Sequence, residues 1–184
     1  LMQRDYRGVE HKARGPIVVV VDESGSMDGP RIETAKATAL AMAWIARHQR
    51  RYCALVGFSD DDQGSWHIIP PGKSDQDALM GWLEHMYNGG TSPAVPLETL
   101  PSRWEQIGAP HGQTDIVLIT DGLLHVPDSM RRSFNEWKSR EKAKLFTLII
   151  EHDSPGDLAG VSDRVWCLPN LSIEQDAIQE IVSI

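Results

Sequence analysis

Cysteine is scarce in this chain. Cys53 and Cys167 are the two among 184 residues, and no zinc-type spacing surrounds either. A disulfide framework and a thiolate metal centre are thereby excluded, and both residues are expected as free thiols in apolar runs, in a reducing, cytoplasmic setting. Basic residues are also few: 18 Lys and Arg face 26 Asp and Glu, for a net charge of −8. Nucleic acid as the main partner needs clustered cations against phosphate, so that class is set aside. No apolar run approaches the roughly 20 residues of a membrane span, and no signal peptide opens the chain. Internal repeats, low-complexity tracts, the H-E-x-x-H zinc motif and the G-x-x-x-x-G-K-[ST] phosphate loop are all missing.

What is present suits one globular α/β domain: 41% hydrophobic and 24% charged residues over one domain's length. Residues 1–14 are poor in apolar side chains and carry Arg4, Arg7, His11, Lys12 and Arg14. They read as an arm or linker from an upstream segment, and the opening Leu1 suggests a piece of a longer protein. Residues 15–184 form the domain. "PIVVVVD" (16–22), "CALVGFS" (53–59), "TDIVLITDG" (114–122), "KLFTLIIE" (144–151) and "RVWCLP" (164–169) are buried, β-branched runs. Between them lie helical patterns: Pro30 followed by Ile32, Ala35, Ala39, Met42, Ala43 and Ala46, then 74–87 with Ser74 as N-cap, 94–107, 128–143 and 172–184. "SWHIIP" (65–70), reached through the turn "SDDDQG", is a short return strand. The alternation predicts a doubly wound, mostly parallel six-stranded sheet with one antiparallel edge strand and helices on both faces. Ligands of such sheets bind beyond the carboxyl ends of the strands, at the switch point.

At that end of the first strand stands "DESGS" (22–26). Asp22, Ser24 and Ser26 alternate, so an extended loop aims them one way. A carboxylate and two hydroxyls are hard oxygens, suited to Mg²⁺ or Mn²⁺ and not to zinc. Magnesium takes about six oxygens, so other loops must contribute. Thr91 of "GGTSP" and Asp121 of "TDG" are the candidates. Taken alone, "DESGSMDGP" is also a good helix N-cap and turn sequence. Asp60, Asp61 and Asp62 do not make an EF-hand, because Gly64 takes the fifth position; they read as a solvated turn. His125 is a loop residue near Asp121. Trp44, Trp66, Trp82, Trp104, Trp137 and Trp166 are expected mainly as packing.

"DESGS", the Thr of "GGT" and the Asp of "TDG", in that order over residues 15–184, resemble the metal-ion-dependent adhesion site of von Willebrand factor A domains. The resemblance implies that Ser24, Ser26 and Thr91 ligate a metal by their hydroxyls, with Asp22 and Asp121 acting directly or through water. The implied ion is Mg²⁺, with Mn²⁺ or Ca²⁺ as alternatives. The implied activity is binding rather than catalysis: the ion keeps a position for an Asp or Glu of a partner protein. "RGPIVVVVDESGSM" and "QRRYCALVGFS" are also similar to the bacterial, cytoplasmic CoxE-like and ViaA-like group, whose members partner MoxR-type AAA+ ATPases. The chain departs from the family pattern at Glu23, where Thr or Val is common, and at Ser92, where Asp is common. A Mg²⁺-dependent phosphatase or phosphotransferase and an extracellular adhesion domain are the competing expectations.

Overall fold

The valine run becomes the centre of a six-stranded sheet. Residues 15–60, 64–73, 75–106 and 112–169 are described by the structure, a computed structural model. The strands are β1 (Ile17–Asp22), β2 (Cys53–Phe58), β3 (Gly64–Ile69), β4 (Asp115–Thr120), β5 (Lys144–Ile150) and β6 (Arg164–Leu168). Their spatial order is β3-β2-β1-β4-β5-β6, with β3 antiparallel to β2 and every other pairing parallel. The expected doubly wound sheet with one antiparallel edge is what forms. Strand order reverses between β1 and β4, where Val21 pairs with Ile119. The carboxyl ends of both strands therefore meet at the switch point.

Alternation along each strand feeds two cores. Val18, Val20, Ala54, Val56, Ile116 and Leu118 face one side. There they meet α3, which is a π turn over Val95–Thr99 continuing as Leu100–Gln106, and α4 (Asp128–Glu141). Ile17, Val19, Val21, Leu55, Val117 and Ile119 face the other side, against α1 (Pro30–His48) and α2 (Gln76–Glu84). All five apolar residues of β1 are fully buried. Each contributes about 1.5–3 kcal/mol relative to exposure, which is why a continuous valine run suits a central strand and not an edge. Ala35, Ala39, Ala43 and Ala46 are the small residues that let α1 lie close on the sheet.

Three expectations need adjustment. The N-cap of α2 is Asp75, whose side chain accepts the Ala78 N–H at 3.0 Å. That helix ends at Glu84 and not at Tyr87: His85 is extended, Asn88 is left-handed at φ +56°, and Asn88 and Gly89 bond to the turn at Glu23–Gly25. Trp44 is 61% exposed, late in α1 and away from the switch point, while Trp82, Trp104 and Trp137 are buried as expected. Cys53 is a buried free thiol and Cys167 a half-buried one. The arm 1–14, Asp61 and Asp62 of the turn, Ser74 and the helix expected over 172–184 lie outside the described residues. Among the described residues no helix is long and apolar enough to cross a membrane.

Candidate metal centre

Asp22 closes β1 with no exposed surface. Its Oδ1 accepts the Ser24 N–H at 3.0 Å and its Oδ2 accepts the Thr120 hydroxyl at 2.7 Å. Burial pushes the Asp22 carboxyl above its ordinary value; the two hydrogen bonds oppose that, and the nearby Asp121 charge adds to it. An ionised Asp22 is thus held in a place that favours a positive partner. The turn at Ser24 opens a short 3-10 helix, Gly25–Met27, anchored by the fully buried Met27. Its geometry brings the Ser24 and Ser26 hydroxyl oxygens to 3.1 Å. Neither serine caps α1: the N-cap is Gly29, and no side chain bonds there. The serine hydroxyls of "DESGSMDGP" therefore do not serve as the N-cap of α1.

Asp121 is the first residue beyond β4 and is 3% exposed. Its Oδ1 accepts the Leu123 N–H at 3.3 Å. Its Oδ2 is buried without a hydrogen-bond partner, a costly condition for a carboxylate oxygen. Arg31, on the first turn of α1, is the cation that faces it, with Nη1 at 4.0 Å, beyond hydrogen-bond reach. The same Nη1 donates to the Ser26 carbonyl at 2.6 Å. Arg31 thus spans the Ser26 turn and Asp121.

Thr91 arrives on the segment returning from α2. Asn88 N–H donates to the Glu23 carbonyl at 3.0 Å, and Gly25 N–H donates to the Gly89 carbonyl at 2.9 Å. On the other side the Ser59 hydroxyl donates to the Gly90 carbonyl at 2.6 Å, and Ser92 N–H donates to the Ser59 carbonyl at 2.8 Å. The half-buried Thr91 is thus bracketed between the Ser24 turn and the end of β2. The first of the two preceding glycines sits in close approach: a Cβ on Gly89 would stand 2.7 Å from both Asp60 Oδ2 and Ser59 Oγ.

All five candidates therefore lie at one sheet edge. Hydroxyls and carboxylates of this kind fit a hard divalent ion, and the unpartnered Asp121 Oδ2 is the oxygen that a cation would satisfy. Among the described residues no group of three or more His, Cys, Asp or Glu side chains is placed to hold a metal, so a centre here must draw on hydroxyls.

Several supporting residues carry little sequence signal. Thr120 holds Asp22 and also accepts the Gly122 N–H at 3.1 Å; it looks like one more strand residue. Glu23 is fully buried and pairs with Lys36 of α1 and with His85 Nδ1 at 2.9 Å. Lys36 Nζ also donates to the Trp82 carbonyl at 2.9 Å and lies 3.6 Å from the Trp82 ring centre. Gly57 leaves the space for Glu23, since any Cβ there would collide with its carboxylate. The departure at position 23 is thus a strut joining β1, α1 and the segment that leads to Thr91. His125 is a loop residue, as expected: it is highly exposed and bonds Asp157 Oδ2 at 2.7 Å.

Residues 17–123 match the von Willebrand factor type A domain. An uncharacterized protein of Methanocaldococcus jannaschii is 30% identical over 175 residues, covering 95% of this chain and 39% of that protein. The chain thus spans about two fifths of that relative's length. A von Willebrand factor type A structure from Catenulispora acidiphila is similar with a TM-score of 0.69 at 18% identity, over 92% of this chain and 41% of that one. BatB from Bacteroides thetaiotaomicron is similar with a TM-score of 0.65 at 14% identity, over 92% of this chain and 96% of that one. These two likenesses concern the fold; the family assignment rests on the match over 17–123. With a parallel sheet reversing at β1 and β4 and hydroxyl and carboxylate groups gathered at that reversal, the chain belongs to the von Willebrand factor type A domain family.

Proposed function

We propose that this domain is a protein-binding module that works through a divalent metal, with Mg²⁺ the preferred ion. Ser24, Ser26 and Thr91 would hold the ion by their hydroxyls, and Asp22 and Asp121 would hold it directly or through water. The bound ion supplies an electrophilic position for an Asp or Glu side chain of the partner. The observation that carries this proposal is the Asp121 Oδ2, buried without a hydrogen-bond partner at the edge where the two serine hydroxyls converge. A buried carboxylate left in this state costs stability unless something positive completes it.

The partner class follows from the resemblance of "RGPIVVVVDESGSM": a MoxR-type AAA+ ATPase, in the cytoplasm, with this domain as adaptor. The module acts by binding and not by turnover. Calorimetric titration with Mg²⁺ tests the centre: wild type binds and Asp22→Ala does not, while circular dichroism keeps both folded. Equal affinity in the two proteins removes the assignment. Capture of a purified MoxR-type ATPase that disappears in EDTA and returns with Mg²⁺ supports the adaptor role, and capture that persists in EDTA refutes the metal bridge. Phosphate-ester hydrolysis lost in Asp22→Ala would instead establish an enzyme.

A further inference from the structure

The guanidinium of Arg31 is held beside the candidate metal centre by contacts from three parts of the fold. Its Nη1 donates to the Ser26 carbonyl at 2.6 Å and stands 4.0 Å from Asp121 Oδ2; its Nε donates to Glu151 Oε2 at 2.5 Å. Glu151 lies 120 residues away, immediately after β5. It holds a left-handed backbone, φ +57°, and its N–H donates to the Leu168 carbonyl at 2.8 Å. A glutamate is an unfavourable choice for that conformation. Such strain persists where the surroundings fix it, often in connection with function. Here the strained residue is the one whose carboxylate anchors Arg31.

We propose that Arg31, anchored by Glu151, is the resident counter-ion of Asp121 and sets the metal affinity of the site. It rests on the metal-dependent reading above. Without metal, the positive charge at 4.0 Å is what offsets the unpartnered Asp121 oxygen. A divalent ion entering beside Asp121 takes over that role and is repelled by the guanidinium, which Glu151 and the Ser26 carbonyl hold in place. Arg31 therefore lowers the affinity for the ion, and the positive charge that remains beside the bound metal favours an anionic ligand on it. The device makes metal and acidic partner bind better together than the metal binds alone.

A purely structural role has the opposite signature. If Arg31 only clamped the Ser26 turn, removing it would loosen the ligands and weaken metal binding. Mg²⁺ titration of wild type, Arg31→Gln, Arg31→Lys and Glu151→Gln by calorimetry at low ionic strength separates the two. Arg31→Gln is expected to bind Mg²⁺ roughly fivefold to tenfold more tightly, as one unit charge a few ångströms from a divalent ion implies, and the gain shrinks as salt is added. Arg31→Lys, which keeps the charge, stays within about twofold of wild type by the same argument. Glu151→Gln, which removes a negative charge and leaves Arg31 unbalanced, binds more weakly. Unchanged or weaker binding by Arg31→Gln overturns the counter-ion role while leaving the metal centre intact. Absence of Mg²⁺ binding in wild type overturns the centre itself, and the counter-ion role with it.

Discussion

At the amino-terminal end of the sheet, Arg51 is buried and its guanidinium is held by several partners from the chain. Its Nε donates to the Gly15 carbonyl at 2.5 Å, its Nη2 donates to the Pro16 carbonyl at 3.2 Å, and it pairs with Asp115 at the start of β4. At the carboxyl end of the same strands, Asp121 is buried too, yet one of its oxygens has no hydrogen-bond partner and its facing cation stands 4.0 Å away. The two ends use the same kinds of side chain at similar depth. The difference lies in completeness: a buried charge whose partners all come from the chain fastens strands together, whereas one left incomplete at a switch point is suited to a ligand.

The sharpest way to break this comparison is to remove one answer at the closed end. Arg51→Ala removes the buried ion pair with Asp115 and the bonds to the Gly15 and Pro16 carbonyls, so thermal or urea unfolding should reveal a loss of about 3–5 kcal/mol. Mg²⁺ affinity of the folded fraction should not change, because the two ends are separated by the full length of the strands. If Mg²⁺ binding fell in parallel with stability, the ends would not be independent. At the open end the expected effects are reversed. Asp121→Asn should lower Mg²⁺ affinity by about a hundredfold, roughly 2.7 kcal/mol, while stability in EDTA stays level or rises because an incompletely paired charge has been removed. Lower stability in EDTA would mean that Asp121 is structural after all.

An intermediate effect is expected from the segment that carries Thr91. In Gly89→Ala the new methyl would stand 2.7 Å from Asp60 Oδ2 and Ser59 Oγ, so one side must shift. A stability cost of about 1–3 kcal/mol follows from overpacking. If Thr91 contributes a hydroxyl to the ion, Mg²⁺ affinity falls with it, and calorimetry at a temperature where the variant is folded measures that separately.

The sheet was legible because strand burial imposes its own pattern. "PIVVVVD" can satisfy neither an edge nor an amphipathic helix, and its β-branched neighbours repeat the same message at 53, 114 and 144. The five candidate residues stood out in the sequence for a different reason: Asp22 ends a strand, Ser24, Ser26 and Asp121 come after one, and Thr91 follows a glycine pair, where small oxygen-bearing side chains call for an explanation. Arg31, Glu151 and Thr120 were not legible, since what matters about them is a contact across 98 or 120 residues of chain. Glu23 was visible as a departure, but its partners Lys36 and His85 come from α1 and from beyond α2, and only the folded chain joins them. Helix limits failed where tertiary pairing overrides propensity: residues 85–87 leave the helix, and Asn88 and Gly89 pair with the turn at Glu23–Gly25.

A third buried polar group refines the contrast at the smallest scale. His67, on the edge strand β3, is 8% exposed and its Nε2 has no hydrogen-bond partner. It resembles Asp121 in being incomplete, yet it lies far from the switch point. Imidazole has a remedy that a carboxylate at neutral pH lacks: it can remain uncharged. Burial lowers the His67 pKa below its ordinary value, and the negative charge of Asp75 opposes this only in part. With the folded value below the unfolded one, the neutral ring's contribution to stability is fully present above the unfolded pKa of about 6.5. It is lost as pH falls through the folded value, because the unfolded chain then binds the proton more readily. As the pH falls from 7 towards the folded value the domain should therefore lose stability. His67→Gln, which does not titrate, should flatten that part of the profile and leave Mg²⁺ affinity at pH 7.5 untouched. An unchanged slope in His67→Gln would assign the acid sensitivity to other groups, and a change in Mg²⁺ affinity would show that the edge strand and the metal centre are coupled. An orphaned buried atom is thus evidence for a ligand site only where the group cannot neutralise itself, which is the property that separates Asp121 from His67.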